Sequence, residues 1–150
     1  PLKERDLHEI AQLRSHSRIP ILLDESVWSA TDVATAARLG AADAVNLYVG
    51  KAGGIGPVLE AVAVARAVGI GATLGSNGEL GIGHAAIMQV ASLGEGFDFE
   101  VYAPDVAAPA YYVEDIVEPK FRIQHGEVAV PTGPGLGVQL NEEVFRKYKV

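Results

Sequence analysis

Cysteine is absent from this 150-residue chain, so neither a disulfide framework nor thiolate chemistry is open to it, as fits a cytoplasmic protein. Basic charge is scarce as well. The 12 lysines and arginines face 19 acids, and the net charge of −7 argues against nucleic acid or an acidic membrane surface as partner. No apolar run approaches the ~20 residues of a membrane span, and the opening Pro1-Leu2-Lys3-Glu4-Arg5-Asp6 lacks the apolar centre of a signal peptide. It also lacks an initiator methionine, as processing or excision from a longer chain would leave it. Aromatics supply only 7% of the residues, so the core must be mainly aliphatic, and 49% hydrophobic content suffices for one packed domain.

The aliphatic residues are grouped rather than scattered. Ile19-Pro20-Ile21-Leu22-Leu23 runs without polar alternation and stops at Asp24-Glu25-Ser26. Such a run reads as a strand buried on both faces, as in a parallel barrel or a doubly wound sheet. Acids at its C-terminal end then point where those folds keep their chemistry. Residues 44–49, 70–75 and 97–102 repeat the layout, each after a helical segment and about 25 residues apart, as βα units require. Asp24, Tyr48, Ser76 or Asn77, and Glu100 stand at the tips of this series.

Between the strands, Leu7, Ile10, Ala11 and Leu13 recur at helical spacing. Ser29 or Thr31 caps a second helix that runs to Leu39 and closes at Gly40. Pro57 fits a first turn, and the apolar stretch 58–68, closed by Gly69, is expected to be largely buried. A fourth helical segment spans 80–93. After Pro104 the pattern changes: 121–130 reads as a hairpin turning at His125-Gly126, and 131–138, rich in Gly and Pro, as an irregular tail across the barrel surface. Residues 1–104 are thus expected to hold about four βα units, and 105–150 a hairpin and tail. His8 and His16 fall on or near the first helix, His84 starts the fourth and His125 sits in the turn; none has metal-ligand spacing.

Five motifs stand in order along the chain: Pro-Ile-Leu-Leu-Asp-Glu-Ser (20–26), Lys-Ala-Gly-Gly-Ile (51–55), Gly-Ile-Gly (81–83), Glu-Val-Tyr-Ala-Pro (100–104) and Pro-Thr-Gly-Pro-Gly-Leu-Gly-Val (131–138). With this order and spacing the chain resembles the C-terminal half of the enolase superfamily, nearest its muconate-cycloisomerase and mandelate-racemase group. The resemblance implies an α/β fold: the C-terminal part of a modified TIM (β/α)7β barrel with a C-terminal β-hairpin tail, the α+β capping domain lying outside this chain. It also implies three carboxylates at successive strand ends that hold Mg²⁺, which binds a substrate carboxylate while a base removes the α-proton. That proton is very weakly acidic, so the developing charge needs a divalent cation and preorganised donors. Hard oxygen ligands suit Mg²⁺.

Carried over residue by residue, the resemblance places Asp24 at the third metal-ligand position; read without it, Asp24 is a helix cap or a surface acid. Glu25 stands beside it to orient a ligand or pair with a lysine, and Ser26 as easily caps the following turn. Glu100 matches a glutamate at the eighth strand end, near the substrate carboxylate or metal; its alternative is a solvated strand-end acid. Asn46, Ser76 and Asn77 are candidate substrate contacts. The first two ligands and a Lys-x-Lys base belong to earlier strands, and the resemblance puts residue 1 just past the second ligand.

Tyr48 departs from the pattern. Counting back five from Gly53 reaches Tyr48, where the muconate branch has a lysine and the mandelate branch an aspartate paired with a histidine on the next strand. That next strand end carries Ser76 and Asn77 instead. Lys51, three residues on, is expected to turn away from the site by strand alternation. A free phenol, with a pKa near ~10, is a poor base at neutral pH, but it can donate a proton or hydrogen-bond a leaving group. Tyr48 is therefore either that donor or a wall that shapes the pocket. One-base chemistry, cycloisomerisation or dehydration, is expected ahead of racemisation, with an epimerase using an unusual base or a catalytically silent scaffold as the alternatives. The expected partners are a small carboxylate substrate, the remaining N-terminal part of the same enzyme and further copies in a homo-oligomer, with neither nucleic acid nor membrane.

Overall fold

A computed structural model describes Lys3 and residues 5–149. The chain forms two compact units: the residues up to Gly75 with Glu95–Pro104, and Ser76–Gly94 with the residues from Asp105 onward.

The first unit is built by parallel βα repeats. Helix α1 (Leu7–His16) starts on the Asp6 carboxylate, which accepts the Glu9 N–H at 3.3 Å. From its last turn Arg14 donates to Gly40 O at 3.2 Å and to Asp43 Oδ1 at 2.6 Å, while Asp43 Oδ2 accepts the Ile21 N–H at 2.7 Å. The Arg14 hydrogen bond, and after it the Ile21 bond, hold the Asp43 carboxyl below its ordinary range. This carboxylate thereby ties together the entries to two neighbouring strands, β1 (Leu22–Leu23) and β2 (Ala44–Leu47). They run parallel with Leu22 opposite Ala44. Helix α2 (Ala30–Leu39) lies between them in sequence, capped by Ser29 and closed at Gly40 as the sequence suggests. After β2 comes a single helical turn, α3 (Val49–Ala52), then α4 (Ile55–Val68), which packs on α2. Strand β3 (Gly71–Leu74) completes the sheet in the order β1-β2-β3, with Asn46 opposite Thr73. Ala44, Val45 and Leu47 are fully buried, as a central parallel strand requires.

Three expectations need correction. The run 19–23 is not buried on both faces: β1 has two residues, Ile19 is 75% exposed and Leu22 40%. Among the described residues β1 pairs only with β2, so its outer edge is open, and Pro20 has no N–H with which to extend the ladder. Helix α4 is not largely buried: it buries one stripe, Val58, Ala61, Val62 and Ala65. Residues 97–102 are a turn and not a strand. Asp98 docks on β3, donating its N–H to Ala72 O and accepting the Ala72 N–H at Oδ2, and the chain then folds back with the Val101 and Tyr102 N–H groups both donating to Asp98 O. The Phe97 and Phe99 rings stack at 4.9 Å, so the alternation of apolar and acidic residues reflects this turn and not a pleat.

The second unit is organised by helix α5 (Gly81–Leu93), whose buried face carries His84, Ala85, Ala86, Ile87, Met88 and Val90. No side chain caps it from the preceding residue. The carboxylate of Asp115 accepts the Gly81 N–H instead, at 2.8 Å. Gln89 Nε2 donates to Pro131 O at 2.8 Å and Leu136 O at 3.3 Å, which pins the Gly- and Pro-rich stretch to the helix. A 3₁₀ turn at Ala108–Tyr111 leads to β4 (Val117–Glu118). The expected hairpin forms between β5 (Ile123–Gln124) and β6 (Glu127–Val128), with φ of 53° at His125 and 81° at Gly126. Two positive φ values define the type I′ turn that matches strand twist. Strand β7 (Gln139–Leu140) returns antiparallel to β4, and Asn141 caps α6 (Glu142–Tyr148), accepting the Val144 N–H at 3.1 Å.

His84 is fully buried with no hydrogen-bond partner at either ring nitrogen, its ring edge-on to Phe121 at 4.6 Å. Burial pushes the imidazole below its ordinary range, against the opposing pull of Asp115 and then Asp105. The folded state therefore favours the neutral ring, whereas the unfolded chain takes up a proton near pH ~6.5. Stability should be steady above that pH and fall as the medium becomes more acid, because protons bind preferentially to the unfolded chain. Melting temperatures of the full-length protein between pH 5 and 8 check this: His84→Leu should flatten the acid slope, and an unchanged slope would place its origin elsewhere.

Candidate functional site

Strand ends that are neighbours in a parallel sheet bring their following loops together, and in the first unit Asp24 and Tyr48 lie just beyond β1 and β2. What joins them is Lys51. The turn α3 begins immediately after Tyr48, so the chain stops alternating and residues three apart come to lie on one face. Gly53, at φ 89°, ends that turn in a left-handed conformation that a side chain would resist. Lys51 consequently points back into the unit, correcting the expectation that it turns away. Its side chain is 1% exposed, and Nζ donates to Asp24 Oδ1 at 2.8 Å, Asp24 O at 2.7 Å and Asn46 O at 2.9 Å. The same Nζ lies 4.6 Å from the centre of the Tyr48 ring, within cation–π range.

Asn46 and Tyr48 follow each other at strand spacing on β2 and its exit. The Asn46 Oδ1 is buried without a partner, and its amide lies so close over Gly75 that a Cβ at that position would collide with it. Glycine at 75 is a condition of the amide's position. Asp24 is partly exposed, and its Oδ1 is the oxygen that the Lys51 ammonium holds. Glu25 is exposed and contributes its backbone carbonyl, which accepts Trp28 Nε1–H at 2.8 Å. Glu100 is exposed within the turn after Asp98 rather than at a strand end. In the second unit, Ser76 Oγ donates to Asp105 Oδ2 at 3.3 Å, and the exposed Asn77 gives its backbone N–H to Glu79 Oε2 at 2.9 Å. The structure thus gathers Asp24, Asn46 and Tyr48 around Lys51.

Among the described residues no group of three His, Cys, Asp or Glu side chains could hold a metal ion. The donor chemistry still fits a hard divalent cation at one position: Asp24 offers a carboxylate oxygen, with the other oxygen already engaged by a buried ammonium. Asp24 supplies one such oxygen, which by itself does not make a complete site. No helix among the described residues is long and apolar enough to cross a membrane.

This fold and strand-end arrangement define a class. Residues 1–144 match the family described as enolase C-terminal domain-like, and the chain belongs to that family, as the C-terminal barrel portion of an enolase-superfamily α/β fold. Among curated proteins it is 34% identical over 148 residues to muconate cycloisomerase 1 of Rhodococcus opacus, covering 99% of this chain and 39% of that protein. It is 40% identical over 138 residues to N-succinylamino acid racemase of an Amycolatopsis species, covering 92% and 36%. The crystal structure of muconate lactonizing enzyme from Klebsiella pneumoniae superposes with a TM-score of 0.92 at 31% identity, over 100% of this chain and 41% of that one. The chain therefore spans about two fifths of the length of the relatives it matches.

Proposed function

We propose that this chain is the C-terminal barrel portion of a Mg²⁺-dependent enzyme that abstracts the α-proton of a small carboxylate substrate by one-base chemistry, cycloisomerisation or dehydration. The observation that carries the reading is the meeting of Asp24 and Tyr48 on one buried ammonium. Asp24 would present one oxygen to the ion. When bound, the ion would neutralise charge developing on the substrate carboxylate. Tyr48, at the neighbouring strand end, donates a proton or hydrogen bond to the departing or rearranging group. Asn46 offers a buried acceptor to a substrate donor, Glu100 provides an acid beside the substrate carboxylate, and Glu25 supports the ligand next to it; Ser76 and Asn77 are kept as candidate substrate contacts. The resemblance assigns the base to a Lys-x-Lys element outside this chain, and Lys51 does not compete for that role, since all three of its protons are committed to oxygen acceptors.

The test is solvent exchange. The full-length protein, incubated in deuterated water with a panel of carboxylic acids and Mg²⁺, should exchange the α-hydrogen of at least one. Absence of exchange across a broad panel favours a silent scaffold. Asp24→Asn should weaken Mg²⁺ binding at least tenfold, about 1.4 kcal/mol, and unchanged affinity by calorimetry refutes the ligand assignment. The 40% identity to an N-succinylamino acid racemase supports a second reading, an epimerase with a non-standard base; recovered substrate that has lost its optical rotation selects it.

A further inference from the structure

Lys51 is the feature that the reading above leaves over: a buried cation on the single helical turn α3, spending every donor it has. An ammonium has three N–H bonds, and here they reach the Asp24 carboxylate, the Asp24 carbonyl and the Asn46 carbonyl at 2.7–2.9 Å. Burying a lone charge is costly unless it is paired and hydrogen-bonded, and this set of oxygens meets that condition. The carboxylate contact is at Oδ1 alone. Two consequences follow for Asp24. Its backbone is held at the exit of β1 through the carbonyl, and its side chain is held at one oxygen, so rotation of the carboxyl is restrained while Oδ2 keeps a fixed direction. The Tyr48 ring packs over the same nitrogen, so Lys51 contacts residues at both strand ends.

We propose that Lys51 is a positioning residue: its ammonium clamps Asp24 so that a single carboxylate oxygen faces the metal, and it acts as neither ligand nor base. The proposal rests on Asp24 being a metal ligand. Loss of an outer contact that orients a ligand typically lowers metal affinity 10–100-fold. Loss of the positive charge would by itself favour a cation nearby, so the sign of the measured change separates clamping from simple electrostatics.

The experiment is Mg²⁺ titration calorimetry on the full-length protein, with metal-free melting temperatures as the fold control. Lys51→Met should bind Mg²⁺ about 10–100-fold more weakly, and Lys51→Arg, which retains a cation with several donors, should recover most of that loss. If Lys51→Met does not fold, Lys51→Gln supplies the neutral variant for the same comparison. Wild-type or tighter Mg²⁺ affinity in the neutral variant, with Asp24→Asn still weakened, overturns the clamp and leaves the ligand assignment standing. Wild-type affinity in Asp24→Asn overturns both.

Discussion

Tyr48→Phe should lower turnover of the full-length enzyme by about 10²–10⁴-fold, the range lost with an acid–base group, while substrate affinity is nearly kept. The substitution removes one oxygen from a side chain that is 8% exposed, so the ring stays over Lys51 and the packing of the two strand ends is conserved. Any loss then reports the phenol and not the shape. If Tyr48 is only a wall, Tyr48→Phe should cost less than about tenfold in turnover, and Tyr48→Ala should raise the Michaelis constant through lost packing. Exchange of the α-hydrogen separates the cases further, because a leaving-group donor can be removed without stopping proton abstraction. Wild-type turnover together with wild-type exchange in Tyr48→Phe would end the catalytic assignment.

What was legible in the sequence followed from local chemistry. Ser29 caps its helix because its oxygen reaches an N–H group three residues on, and Gly40 and Gly69 end helices within a residue of where the apolar period stops. His125-Gly126 makes its hairpin turn because both positions adopt positive φ. The failures came where partners distant in sequence decide the conformation. Residues 97–102 alternate like a strand, yet Asp98 uses its backbone and carboxylate on Ala72 and the chain turns.

The site shows the same division. Motif order marked Asp24 and Tyr48, whereas the contact that unites them joins residues 27 apart in sequence. Period-two reasoning carried β2 through Tyr48 into Lys51, although the Gly53-Gly54 pair just beyond already argued for a turn. The parallel adjacency of the first two strands was itself expected from the βα repeat. Combined with that turn, it would have brought residue 51 to the end of β1, and the buried cation could have been found.

Gly81→Ala should destabilise the protein by ~3 kcal/mol, combining an overpacking cost of about 1–3 kcal/mol with a weakened hydrogen bond to a charged acceptor. A Cβ at this position would collide with Val117 and lie 2.8 Å and 2.9 Å from the two Asp115 carboxylate oxygens. Neither neighbour is a loose surface side chain. Val117 is fully buried on β4, and Asp115 is committed to the Gly81 and Ile116 N–H groups at 2.8 Å and 2.6 Å. Relief would have to move the carboxylate off the start of α5, where it satisfies an N–H that no residue before the helix caps. The neighbouring Ile82→Ala offers the control, because that side chain is 42% exposed and its truncation should cost less than about 1 kcal/mol. Denaturant midpoints of the two variants decide the matter: equal shifts would show that the close approach at Gly81 is relieved by movement of α5 as a whole, and that the Asp115 contact does not fix where this helix begins.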